Sequence, residues 1–195
     1  MVNKKRKIYN VILTILIISA IVVGVMIFFK YYNNYLNEKN IENKIAQIEE
    51  KFENISNEES IQETYEGYKI EGIIEIPEIK IKYPIINETN DKTMRISVTK
   101  FWGPNINEVG NYIIAGHNNL DGTMFGKTKY LKIGDIIKIT DLKNKTIDYK
   151  IFKTYSVDPN DVSILDNMDK SKKEITLITC TNGRKQRLIT KAMEI

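Results

Sequence analysis

From Val11 to Phe29 the chain reads VILTILIISAIVVGVMIFF, with no charge and only a threonine, a serine and a glycine to dilute it. As a helix rising about 1.5 Å per residue, this run is roughly 28 Å long, enough to span the hydrocarbon core of a bilayer. Lys4, Lys5, Arg6 and Lys7 precede it, and Lys30, Tyr31 and Tyr32 follow it. That bias predicts a cytoplasmic N-terminus, with everything after the span on the outside. A cleaved leader has a shorter apolar region, about 7 to 15 residues, ending at a small-x-small site. Here Lys30, Tyr31, Tyr32 and Asn33 follow instead, so residues 1–30 read as a basic tail and an uncleaved anchor.

The anchor also accounts for the net charge. Of the 29 basic residues, five lie in residues 1–30, which hold no acidic one, leaving 24 against 25 for residues 31–195. The exposed part is nearly neutral. A nucleic-acid partner is not expected, because that footprint needs Lys and Arg gathered on one face or helix.

Residues 31–66 carry nine glutamates against three lysines and contain no proline. Ile41, Ile45, Ile48, Phe52 and Ile55 recur at spacings of four and three, which draws one apolar stripe along a helix. This predicts a stalk helix whose stripe packs on the following domain, pairs with a second copy, or lies along the membrane. The run NEESIQETYEG then reads as a solvated linker or a frayed extension, with a boundary at Gly67.

From Tyr68 onward, short Ile-, Tyr- and Thr-rich runs alternate with Gly, Asn, Asp and Pro, the texture of an all-β domain. The candidate strands are GIIEIP, IKIKYPII, NYIIAG, DIIKIT, TIDYKIFKTYSV, EITLITC and RLITKAMEI, with short helical turns near Met124–Leu131 and Val162–Met168. Seven or eight strands over residues 67–195 predict a closed barrel or a sandwich.

Three residues in this domain carry chemistry. NYIIA runs into Gly116 and then His117, the single histidine; EITLIT runs into Cys180, the single cysteine; and Arg187 opens the final strand. A lone cysteine outside the membrane cannot form an internal disulfide, so Cys180 is a free thiol. If ITLIT and RLIT are antiparallel neighbours, the loop TNGRKQ returns Arg187 to the level of Cys180, with Asn182 and Gly183 making the turn. Arg184, at the loop tip beside Lys185, competes for the guanidinium role but reads as solvated.

Together these groups suit acyl transfer. A nearby imidazolium or guanidinium favours the thiolate nucleophile. Histidine can give a proton to a departing amine and take one from an incoming nucleophile. Arginine can hydrogen-bond the oxyanion formed when a carbonyl is attacked. Taken singly, each has a plainer explanation: a buried inert cysteine, a hydrogen-bonded loop histidine and a solvated arginine.

The strings TLITC at 176–180, RLI at 187–189, GNYIIAGHN at 110–118 and IEIPEIKIKYPI at 74–85 resemble a sortase, and the likeness runs from residue 72 to 194. The resemblance implies the eight-stranded sortase β-barrel with short helices, with His117, Cys180 and Arg187 as the catalytic residues. Thr179 matches the threonine before the cysteine, with a positioning role. It further implies cleavage of a C-terminal sorting signal of the Leu-Pro-x-Thr-Gly kind on secreted proteins, through a thioacyl enzyme. An amine on a peptidoglycan precursor, or another acceptor amine, then resolves that intermediate. No cofactor is implied, and acidic residues such as Glu108, Asp158 and Asp161 are too scattered to predict a calcium site. TNGRKQ is shorter than the corresponding loop of housekeeping sortases, and the subclass stays open.

Two alternatives remain at this point. An L,D-transpeptidase acting on peptidoglycan would need histidine close before cysteine in a Ser-His-Gly-Cys arrangement, where this chain has Leu177, Ile178 and Thr179. The other is a non-catalytic anchored β-domain that binds a partner.

Overall fold

The computed structural model describes residues 2–53, 62–166 and 169–195. Of the residues singled out above, Ile55, Met168, residues 57–61 of the linker run and the side chains of Lys4, Lys5 and Phe52 lie outside that set. The rest of the linker run is not simply solvated: Thr64–Tyr65 form a short strand, and Glu63 and Tyr65 are buried. The chain forms two compact units, residues 1–43 and 44–195.

The first unit consists of one helix, α1, which extends from Val2 to Glu53 and so ends within the second unit. Its most apolar 18-residue window has a mean hydropathy of 3.1, so by length and composition it can cross a membrane.

The second unit is β-rich. Its strands are β1 (Thr64–Tyr65), β2 (Tyr68–Ile76), β3 (Ile81–Ile86), β4 (Val98–Trp102), β5 (Gly110–Ala115), β6 (Ile136–Asp141), β7 (Thr146–Val157), β8 (Lys173–Thr181) and β9 (Gln186–Glu194). They hydrogen-bond in the order β1-β2-β3-β4-β5-β8-β9-β7-β6. A further β2–β6 pairing, with Ile74 opposite Ile139, closes strands β2 to β9 into an eight-stranded barrel. Closure leaves those strands without an open edge. Gly67, at φ +81, makes the turn between β1 and β2, a left-handed conformation that glycine adopts without a Cβ penalty.

The barrel is filled by alternate residues of each strand, among them Ile74, Ile76, Ile85, Ile114, Ile137 and Ile139, all at 0% exposure. Branched side chains suit this pleated, half-buried environment. The seven runs read from sequence each fall largely on a strand, although IKIKYPII begins in a 3-10 turn, Pro77–Ile79, with left-handed Lys80 following, and only Ile81–Ile86 form β3. VTKFW, which forms β4, was not among them; it is short, its last two residues are exposed, and a bulge between Lys100 and Trp102 breaks its alternation. The two expected helical turns are single 3-10 turns at Thr128–Tyr130 and Ser163–Leu165. A further helical turn, α2 (Thr93–Ile96), leads into β4.

The end of the apolar stripe packs on the barrel. Ile73 sits between interior-facing neighbours, so its side chain points outward, yet it is only 3% exposed. Ile45 and Ile48 are buried in the same unit, and Glu49 lines one cleft with Ile73, Glu75 and Lys82. Lys82 bonds Glu49, while Glu63, just before β1, accepts from Lys44 at 2.6 Å and from Lys51. Of the three fates predicted for the stripe, the segment from Lys44 onward adopts the first.

Candidate active site

The meeting of distant residues follows from strand direction. β5 and β8 are parallel neighbours, with Ala115 opposite Ile178, so their C-terminal ends emerge at the same end of the barrel. β5 continues into Gly116 and His117, and β8 continues to Cys180. β8 and β9 pair antiparallel, as expected, with Cys180 directly opposite Arg187. Side chains in such a pair share a face, with Cβ atoms about 5 Å apart.

His117 is held to the cysteine strand on both sides. Before it, the Gly116 amide donates to Ile178 O at 3.1 Å, and Thr179 Oγ1 donates to Gly116 O at 2.7 Å. After it, Asn118 Nδ2 donates to Cys180 O at 2.7 Å. The loop then returns: Phe125 N bonds His117 O at 3.0 Å, and Met124 N bonds the buried Tyr83 hydroxyl at 2.9 Å. A Cβ on Gly116 would lie 2.7 Å from the Phe125 ring, so this close approach requires glycine.

Below Cys180 and Arg187 lies an apolar floor on the outer face of the barrel. Ile178 and Ile189 precede and follow them by two residues and pack with Ile113 and Ile164, flanked by Tyr155, Val157 and Leu165. The connection from β7 to β8 crosses this floor and is tied down by buried polar groups. Asn111 Nδ2 reaches the carbonyls of Ile164, Leu165 and Asp166, at 3.0, 3.4 and 3.3 Å, and Asn111 Oδ1 accepts from Thr176. Lys191 Nζ adds a bond to Asp166 O at 2.9 Å.

Cys180 is half-buried and forms no disulfide. Arg187 Nη1 donates to Arg184 O and Gln186 O, at 3.3 and 3.4 Å, which shapes the β8–β9 turn. The His117 imidazole is held below its usual pKa range by burial first, then by the positive charges of Arg184 and Arg95, with Asp91 opposing them. Arg184 is exposed, as its loop position implied, but its charge reaches the histidine. Sequence reasoning passed over Arg95 and Asn118; Arg95 carries no local signal, whereas Asn118 closes the GNYIIAGHN string. Among the described residues, no three His, Cys, Asp or Glu side chains converge as a metal site.

The Sortase domain family model matches residues 74–195, from β2 through the last strand. This chain belongs to the sortase family. Sortases are cysteine transpeptidases, and that membership sets aside the L,D-transpeptidase reading. Sortase A of Staphylococcus aureus is 29% identical over 184 residues, covering 90% of this chain and 89% of that protein. Sortase A of Listeria monocytogenes is 32% identical over 117 residues, covering 60% of this chain, which spans about half (51%) of that relative's length. Among solved structures, a Clostridium perfringens Sortase D5 transpeptidase superposes with a TM-score of 0.62 at 26% identity, over 82% of this chain and 98% of that one. The eight-stranded barrel is the sortase fold.

Proposed function

We propose that the chain is a membrane-anchored sortase that cleaves an LPXTG-like C-terminal sorting signal and transfers the protein to an acceptor amine, with Cys180 as nucleophile, His117 as proton-transfer group and Arg187 as oxyanion donor. In this reading residues 1–30 are the cytoplasmic tail and anchor, 31–66 the stalk, and 67–195 the catalytic domain outside the membrane. One observation carries the assignment: Cys180 pairs in register with Arg187, while the residues on both sides of His117 bond to the cysteine strand.

The chemistry follows from those positions. The Cys180 thiolate attacks the scissile carbonyl, forming a C–S bond and an oxyanion that the Arg187 guanidinium stabilises, a contribution of roughly 3 kcal/mol for such a donor. Collapse breaks the C–N bond as His117 protonates the leaving amine. The acceptor amine then attacks the thioacyl carbon, His117 takes its proton, and the thiolate leaves. The partly buried Tyr155, Val157 and Leu165, packed against the closed cluster of Ile113, Ile164, Ile178 and Ile189, offer apolar surface for the aliphatic residues of a sorting signal, and the tied-down β7–β8 connection forms the wall of that groove.

The test uses the full chain in detergent micelles with a mixed library of sorting-signal peptides. A thioacyl adduct mapped by mass spectrometry to Cys180, absent from Cys180→Ala and His117→Ala, is the expected result. Turnover retained in Cys180→Ala would remove the nucleophile assignment.

A further inference from the structure

Arginine is scarce in this protein and unevenly placed. The chain has 25 lysines and four arginines: Arg6 before the apolar span, and Arg95, Arg184 and Arg187. All three arginines after the span lie at the end of the barrel where β5 and β8 emerge. Arg187 faces Cys180 across the β8–β9 pair. Arg184 sits in the turn joining those strands, where its carbonyl accepts from Arg187. Arg95 belongs to α2, which runs into β4, and Thr99 of β4 lies opposite Ala115, two residues before His117. None of the three forms an ion pair among the described residues, although lysines account for eight such pairs there.

Arginine and lysine are not equivalent here. The guanidinium offers a planar fork of donors that fits a carboxylate or phosphate and is more weakly hydrated than an ammonium, so it suits anion recognition. One guanidinium meets the needs of the oxyanion. Two exposed and unpaired ones are left over, and both act on His117, the side from which an amine must enter or leave. Asp91 is the acidic residue whose charge reaches the same imidazole.

We propose that Arg95 and Arg184 form an anion-binding subsite beside His117 that selects an acceptor amine carrying a carboxylate or phosphate group. This inference rests on the transpeptidase reading above. Attack needs the amine in its neutral form, and a cluster of positive charge disfavours its protonated form while drawing in an anionic substituent. Acceptors that are purely cationic are correspondingly excluded.

The experiment measures transfer from one sorting-signal peptide to paired acceptors, using the full chain in micelles at low salt. Diglycine against diglycinamide tests a carboxylate, and O-phosphoethanolamine against ethanolamine tests a phosphate. The readout is the ratio of transfer to hydrolysis within each pair, so effects on thioacyl formation cancel. The wild type is expected to favour at least one anionic member by about fivefold, the scale of exposed charge contacts, and to lose the preference as salt rises. Arg95→Gln with Arg184→Gln should bring the ratio to about one, and the double lysine variant should restore it only in part. A wild-type ratio near one in both pairs, a preference untouched by the double glutamine variant, or discrimination by charge on the donor peptide instead would each overturn the subsite. Failure to form any thioacyl enzyme would count against the transpeptidase reading itself.

Discussion

Lys191 Nζ lies 2.6 Å from Glu174 Oε1, and both residues are buried beneath the β7–β8 connection. Because the same ammonium also holds the carbonyl of Asp166, this ion pair joins the last two strands to the wall of the proposed groove. Removing one member of a buried pair leaves the other charge uncompensated, typically at about 3–5 kcal/mol. Lys191→Met should therefore lower the thermal midpoint by several degrees and raise KM for the donor peptide more than it lowers kcat. Replacing Lys191 and Glu174 together by methionine should recover most of the stability but not the KM, since Asp166 O then keeps only the longer bond from Asn111 Nδ2. Calorimetry and peptide kinetics on both variants check this.

Thr179 links the cysteine strand to the histidine loop through its bond to Gly116 O. In Thr179→Val the shape is kept and the donor lost, which leaves a buried carbonyl short of a partner at about 1–3 kcal/mol. If the bond positions His117, kcat should fall by roughly tenfold to a hundredfold, the scale of small misplacements near the chemistry. Thr179→Ser should retain most activity because it keeps the hydroxyl. Equal activity in the valine and wild-type enzymes would limit Thr179 to packing.

Gly116 offers a test by volume alone. The 2.7 Å approach of an added Cβ to the Phe125 ring means that Gly116→Ala must push the ring or the loop aside. Strained insertion of this kind costs about 1–3 kcal/mol. The expected result is a clear loss of activity, with Phe125→Leu in the alanine background returning part of it by making room.

The strands, the free thiol and the antiparallel return to Arg187 were legible because each depends on local chemistry: alternation, a single cysteine, and a turn at Asn182–Gly183. The approach of His117 to Cys180 was not local. It depends on the parallel pairing of β5 with β8, which joins segments more than 60 residues apart and leaves no periodic mark on either. The same holds for the wall of the groove, since nothing around Asn111 or Lys191 marks them as anchors for a distant connection. β4 was missed because its bulge and exposed end weaken the alternation that reveals a strand.

His117 is the only histidine, so its titration can be followed as a single imidazole signal. Burial and the charges of Arg184 and Arg95 depress its pKa below the unfolded value of about 6.5. Between the folded and unfolded pKa values the unfolded chain binds more protons, so this residue makes stability rise with pH up to about 6.5 and contributes no slope above it. Arg95→Gln with Arg184→Gln removes the two positive charges, so the folded pKa should move up toward 6.5 and the acid-side slope should flatten. If the imidazolium protonates the leaving amine, the alkaline limb of peptide cleavage should move to higher pH in the same variant. An NMR titration of His117 paired with a pH–rate profile checks both shifts. A histidine pKa that stays put in the double variant would mean that neither guanidinium senses the imidazole.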